Sequence, residues 1–138
     1  MTSIHYRLTL TPKSIYLNMT NEEFNAMFRE KTKAFALGVI KFIATVPYNS
    51  ATRVMNFQLC KAATSVAANH RAFCRGRSKN ERFSKICIVV EEADESQFWL
   101  EIFDQLPYGD KDLLAWLIIE ITEIVKVSTS IKNSTFPH

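Results

Sequence analysis

Apolar and small side chains recur at alternating spacings of four and three along two long stretches of the sequence. The positions are Met55, Leu59, Ala62, Val66, Asn69 and Phe73 in the first stretch, and Ile86, Val89, Ala93, Ser96, Leu100 and Phe103 in the second. This rhythm puts one stripe along one side of an α-helix, as in helices that pack nearly parallel or antiparallel to a neighbour. The two stretches therefore predict two long helices that face each other across a short connection.

The connection contains a glycine and a helix-start signal. Gly76 is predicted to cap the first of these helices, because glycine adopts a positive φ without steric cost. Ser78 and Glu81 have the spacing of a capping box, in which the two residues serve each other's backbone amides. The sequence thus predicts a tight turn between the two helices.

Two further helices are predicted from similar end signals. Thr20 with Glu23 forms another capping box, and Pro47 disfavours the α conformation at the residue before it. Asp110 follows the breakers Pro107 and Gly109 and is a good N-cap. The predicted helices cover about residues 21–46, 51–75, 79–106 and 111–132.

Four long helices with short connections predict an all-α fold, an up-down-up-down antiparallel four-helix bundle. The 138 residues include only three glycines and four prolines and are 47% hydrophobic, a composition typical of one folded, helix-rich domain. We expect a short N-terminal arm at residues 1–19, the bundle at 20–133 and a polar tail at 134–138. The arm has a weak strand-like alternation with no obvious partner strand.

Cysteine usage and hydropathy indicate a cytoplasmic protein. The three cysteines, Cys60, Cys74 and Cys87, include no CxxC pair and lie within apolar helical patterns, which favours reduced thiols. No apolar run reaches the roughly 18 residues that span a bilayer, and the N-terminus lacks the order of a secretion signal. We therefore expect no membrane association.

Charge is distributed unevenly along the chain. Residues 71–85 carry six basic side chains against Glu81, a net charge of +5. The six are Arg71, Arg75, Arg77, Lys79, Arg82 and Lys85. They are candidate nucleic-acid-binding residues, since guanidinium groups pair well with phosphates. The alternative is a solvated helix turn whose charges pair partly with nearby acids.

An acidic run follows on the third helix, at Glu91, Glu92, Asp94 and Glu95. Di-iron bundles also need a Glu-x-x-His pair on each of two helices, and none occurs here, so no metal is predicted. Glu92 lies at the edge of the stripe, where Lys61 or Asn69 of the second helix could serve as a structural polar partner. His70, Cys74 and Cys87 lack a fourth ligand for zinc, which favours core or boundary roles for them.

Four apolar side chains fall outside the helix 3 stripe and are too apolar for a solvated face. They are Phe83, Val90, Phe98 and Trp99. Such a surplus of apolar surface predicts a second partner, either another helix of the bundle or another subunit. These residues are candidates for an oligomer interface.

The run FQLCKAATSVAANHRAFCRGRSKNERFSKICIVVEEADESQFWLE, residues 57–101, resembles a known family. It is similar to the four-helix-bundle proteins found as reading frames within intervening sequences of bacterial 23S ribosomal RNA genes. The specific pieces are 58–69, 75–79, 90–96 and 98–101, and a looser match extends from about residue 30 to 132. Relatives usually carry an aromatic where Arg82 stands, shifted one place from Phe83, and often an apolar or aromatic residue at His70.

The resemblance implies bundles that assemble into rings, typically pentamers, with no catalytic activity. The family includes the accessory proteins of diversity-generating retroelements, which bind nucleic acid and a reverse transcriptase through basic surfaces. We therefore expect a non-enzymatic homo-oligomer, without a cofactor, that associates with RNA or DNA through the basic turn. The alternative is a protein-binding scaffold that makes no nucleic-acid contact.

Overall fold

The computed structural model describes residues 18–136, and the chain in this range folds into four α-helices. They are α1 (Asn21–Ile43), α2 (Ser50–Cys74), α3 (Lys79–Asp104) and α4 (Lys111–Thr135). Each helix packs on the next, and α4 closes the set by packing on α1. The predicted all-α four-helix bundle is thus confirmed. The predicted arm lies almost wholly outside the described residues.

The helices begin where the sequence predicted, because the capping side chains form the expected bonds. The Thr20 hydroxyl accepts from the Glu23 amide at 3.0 Å, and the Glu23 carboxylate accepts from the Thr20 amide at 2.9 Å. Asp110 accepts from the amides of Asp112 and Leu113 at 3.1 Å each. The side chain of Asn49 caps α2 in a capping box with Thr52.

The ends of three helices differ by two or three residues from the predicted bounds. Helix α1 ends at Ile43, because the amides of Thr45 and Val46 bond three residues back and tighten the chain before Pro47. Helix α3 ends at Asp104 in a similar tightened turn. Helix α4 instead continues to Thr135, so the first residues of the predicted polar tail are helical.

The stripe predicted for α3 is confirmed in full, since its buried residues are those six positions. The stripe of α2 differs near its C-terminal end. Asn69 is only half-buried and donates to the Ser65 carbonyl at 2.9 Å, within its own helix. His70 takes the buried place, because its ring packs between Phe28 and Phe73.

The prediction of a positive φ at Gly76 is wrong. Among the described residues only Gly109 has one, at 79°. Gly76 is needed for space, since a Cβ there would lie 2.2 Å from Cγ of Arg82. Arg75, with φ −98° and ψ 6°, is the residue that caps α2.

Candidate nucleic-acid interface

The basic turn, residues 71–85, runs from the last turn of α2 into the first turns of α3. The Arg75 amide donates to the carbonyls of Ala72 and Phe73, and the Ser78 hydroxyl accepts from the Glu81 amide at 3.0 Å. These local bonds fix both helix ends. The basic side chains therefore project from a turn with a defined backbone.

Glu81 does not complete the predicted reciprocal pair with Ser78. Its carboxylate accepts from the Arg77 amide at 2.9 Å, one residue before the cap. The carboxylate still serves an otherwise free backbone amide at the start of α3. The one acidic side chain of the basic turn is thus engaged with the backbone.

Within residues 18–136, no carboxylate lies in ion-pair distance of the six basic side chains. Five of them are exposed, and Lys85 is half-buried. The alternative of a turn neutralised by neighbouring acids within one chain therefore finds no support in this part of the molecule. Five of the six basic side chains of the turn thus face solvent.

Arg82 is held differently from the other arginines of the turn. Its guanidinium carbon lies 5.3 Å from the centre of the Phe73 ring, and its aliphatic part fills the space beside Gly76. A guanidinium over an aromatic face is attracted by the ring electrons. Arg82 thus joins α3 to the end of α2 while remaining exposed.

Two further cations lie near Arg71 and Arg75, and the sequence reasoning missed them. Arg29 and Lys33 of α1 border the same groove as Arg71 and Arg75 of α2. Because consecutive helices are antiparallel, the start of α1 lies at the same end of the bundle as the end of α2. The i, i+4 spacing of Arg29 and Lys33 shows that they share a face, but only the packing brings that face beside α2.

His70 is a core residue. It is 0% exposed, and its ring lies edge-on to Phe28 at 4.8 Å and stacks on Phe73 at 5.9 Å. Burial, with a smaller contribution from the positive charge of Arg29, lowers the pKa of His70 to about 4. The Sγ atom of Cys74 lies 3.8 and 3.9 Å from the two ring nitrogens.

No group of three or more residues able to hold a metal ion occurs in the described part of the chain. Cys87, the remaining thiol of the possible zinc set, is half-buried on α3. His70 and Cys74 are thus two neighbours on one helix face, without further ligands in residues 18–136.

The acidic run of α3 lies partly at the edge of the core. Partial burial raises the pKa of Glu92, as do the charges of Glu95 and Glu91, whereas Lys61 lowers it. In residues 18–136, Lys61 makes no ion pair with Glu92, and Asn69 bonds to Ser65 instead. Lys61 therefore acts on Glu92 only at longer range.

The four residues proposed for an oligomer interface differ in exposure. Phe83 is half-buried and contacts Phe136, with ring centres 5.3 Å apart, and Val90 and Trp99 are also half-buried. Phe98 is 50% exposed, and its ring lies edge-on to Trp99 at 5.0 Å. Phe83 and Trp99 pack against the core of the single chain, whereas Phe98 stays open to a partner.

A buried ionic cluster joins α1 to α4 and was missed from the sequence. Lys31 Nζ lies 2.8 Å from Glu120 Oε1 and 2.5 Å from Glu123 Oε1. All three side chains are nearly buried. The carboxylates of Glu120 and Glu123, three residues apart, interrupt the apolar face of α4. Two acids at such positions could have indicated a buried cation on a neighbouring helix.

Comparison with solved structures identifies a bundle of the same kind. A crystal structure of a protein of unknown function from Bacteroides thetaiotaomicron matches with a TM-score of 0.70 and 25% sequence identity. The match covers 79% of this chain and 97% of that one. This chain is similar to a protein of the S23 ribosomal protein family. The likeness supports the four-helix bundle, while membership in the family stays a prediction.

No protein-family model matches the sequence, and no curated protein matches it. Within residues 18–136, every helix is too short or too polar to cross a lipid bilayer.

Proposed function

We propose that the protein is a non-enzymatic, oligomeric binding module that associates with nucleic acid through the basic turn. The observation that carries the proposal is the set of six basic side chains which, within residues 18–136, have no carboxylate in ion-pair distance. Such a surface attracts phosphate backbones mainly through counterion release and without base readout. Assembly of several subunits would multiply the effect.

The proposal is tested by the salt dependence of binding to a single-stranded RNA 20-mer and to a DNA duplex of equal length. For single strands, the logarithm of the association constant falls with the logarithm of salt by about 0.7 for each phosphate neutralised. The variant Arg77→Ala with Lys79→Ala should therefore weaken binding and reduce this slope by about 1.4. The variant Arg53→Ala with Lys126→Ala removes two exposed cations elsewhere and serves as the control.

Equal slopes for the Arg77 and Lys79 variant and for the unchanged protein would exclude the turn from the mechanism. The oligomer is tested separately, by the native mass of the purified protein before and after nuclease treatment. A mass of several chains that persists after nuclease supports a protein-mediated assembly. A mass of one chain contradicts the oligomer but leaves the salt experiment informative.

A further inference from the structure

A groove runs along the outside of the bundle between α1 and α2. Its volume is about 720 Å³, within the range of known ligand sites. Its walls are residues 29–40 of α1 and residues 64–75, which are the second half of α2 and its C-cap. Each wall is 12 residues long, which at the rise of an α-helix corresponds to about 17 Å, or three turns.

The middle of the groove is built for close approach by another backbone. Small side chains lie along both walls, at Ala36 of α1 and at Ala67 and Ala68 of α2. Leu37 and Ile40 stand beside them and are 49% and 47% exposed. A floor of alanines bordered by open aliphatic side chains suits the apolar side of a docked helix.

One end of the groove is strongly basic. Arg29 and Lys33 of α1, Arg71 of α2 and the C-cap residue Arg75 lie there, and among the described lining residues Glu30 alone is acidic. Within residues 18–136, these four cations have no carboxylate in ion-pair distance. The described lining residues at the opposite end, Ile40 and Thr64, are uncharged. The groove is thus apolar around Ala36, Leu37, Ile40, Ala67 and Ala68 and cationic at one end.

We infer that this groove binds an acidic amphipathic helix of another protein. The helix would be about three turns long, with apolar side chains at i, i+4 and i+7 on Leu37, Ile40 and the alanines. Its carboxylates would meet the four cations at the basic end. The bound helix is stabilised further if its own C-terminus lies at the basic end, because the C-terminal end of a helix dipole is negative.

Two other occupants fit the groove less well. Single-stranded nucleic acid is usually held by a basic groove together with aromatic side chains on which bases stack, and none of the lining residues within 18–136 is aromatic. A second copy could offer its own acidic helix, α3. That helix, described over its whole length, has one exposed large apolar side chain, Phe98, rather than a three-residue stripe.

The inference is tested with a capped, fluorescent 16-residue peptide helix. The peptide carries leucines at i, i+4, i+7 and i+11 and glutamates in its last turn, and a second peptide carries lysines in place of the glutamates. Fluorescence anisotropy should show saturable binding of the acidic peptide to the full chain, with one site per chain. The lysine peptide should bind at least tenfold more weakly.

Matched variants locate the site. Arg29→Glu with Lys33→Glu should weaken the binding of the acidic peptide at least tenfold. Leu37→Glu should have the same effect, because all three positions line the groove. Arg53→Glu with Lys126→Glu reverses two exposed charges outside the lining and should leave the affinity unchanged. Circular dichroism confirms that each variant keeps its helices.

Three results would overturn the inference: no saturable binding, equal binding of the two peptides, or equal affinity of the groove variants and the unchanged protein. The inference also fails if the unchanged protein is an oligomer that does not bind the peptide and Leu37→Glu makes it monomeric. In that case the groove is occupied by a second copy of the chain. Arg71 and Arg75 belong to both the groove lining and the basic turn, so the peptide is titrated against nuclease-treated protein and the two proposals are separated by residues that only one of them uses. The Arg77 and Lys79 variant, altered only outside the groove lining, should bind the acidic peptide normally.

Discussion

Lys31 places its ammonium group 2.8 Å from a carboxylate oxygen of Glu120, across the contact between α1 and α4. Glu123 approaches the same ammonium group at 2.5 Å. The side chain of Lys31 is 8% exposed and that of Glu120 is 5% exposed. Charges that lie this deep are retained only where each has partners, because removal from water is costly.

Replacement of Lys31 by methionine should lower the free energy of unfolding by about 3 kcal/mol, the lower end for a broken buried pair. The substitution leaves two carboxylates in a nearly buried site without the ammonium group that neutralises part of their charge. Urea denaturation at neutral pH measures the effect. Lys41→Met changes an exposed lysine of the same helix and should stay within about 0.5 kcal/mol of the unchanged protein. Equal values for the two variants would contradict the assigned role of Lys31.

His70 should make stability depend on pH. In the unfolded chain the imidazole takes up a proton as the pH falls through its ordinary value of 6.5, whereas in the folded protein its pKa is about 4. Between these values the unfolded state binds more protons, so stability should fall as the pH falls, by about 3 kcal/mol in total. The fall should be complete near pH 4.

The measurement for His70 is the difference between the unchanged protein and His70→Phe. A phenyl ring can pack between Phe28 and Phe73, and it carries no proton. The difference between the urea midpoints at pH 7 and at pH 4.5 should therefore be smaller in the variant than in the unchanged protein. An equal loss of stability between pH 7 and pH 4.5 in the two proteins would show that other groups cause the acid sensitivity.

Gly109→Ala should destabilise the turn between α3 and α4. The backbone there has a φ of 79°, which costs a residue with a side chain about 1–2 kcal/mol. A Cβ would also lie 2.7 Å from Cε1 of Phe42. Thermal denaturation should show a loss above 1 kcal/mol, and the same substitution in a Phe42→Leu background separates the backbone cost from the clash. An unchanged melting temperature would contradict both reasons.

Ser78→Ala should remove the cap of α3 and cost about 1 kcal/mol. The hydroxyl accepts from the Glu81 amide at 3.0 Å, and alanine leaves that amide without its partner. Ser84 is exposed within the same helix, so Ser84→Ala is the matched control and should be neutral or slightly stabilising. If both serine variants unfold at the same urea concentration, the cap contributes nothing measurable.

The pattern of spacing predicted most of the fold because the helix caps depend on neighbouring residues and the buried stripes repeat with the period of a helix. The six-residue stripe of α3 and the caps at Thr20 and Asp110 were read directly from the sequence. The predicted end of α1 is three residues too late, since its last turn tightens through bonds from the amides of Thr45 and Val46. Spacing alone does not contain that information.

The features that spacing missed depend on which helices become neighbours. Lys31 and Glu120 are 89 residues apart, and each alone resembles an ordinary charged position. Arg29 and Lys33 joined the basic end only when α1 was placed beside α2. Gly76 was assigned a backbone role because its real constraint, the Arg82 side chain, lies across the turn.

The contact between Phe83 and Phe136 brings the end of α4 to the start of α3, and hence beside the basic turn. The exposed residue Asn133, in the last turn of α4, is therefore a suitable place for a fluorescent reporter. Tyr48, which is 77% exposed in the connection between α1 and α2, lies at the other end of the bundle, about 35 Å away for helices of this length. A pair of dyes at these two sites will distinguish optically which end of the molecule a ligand occupies.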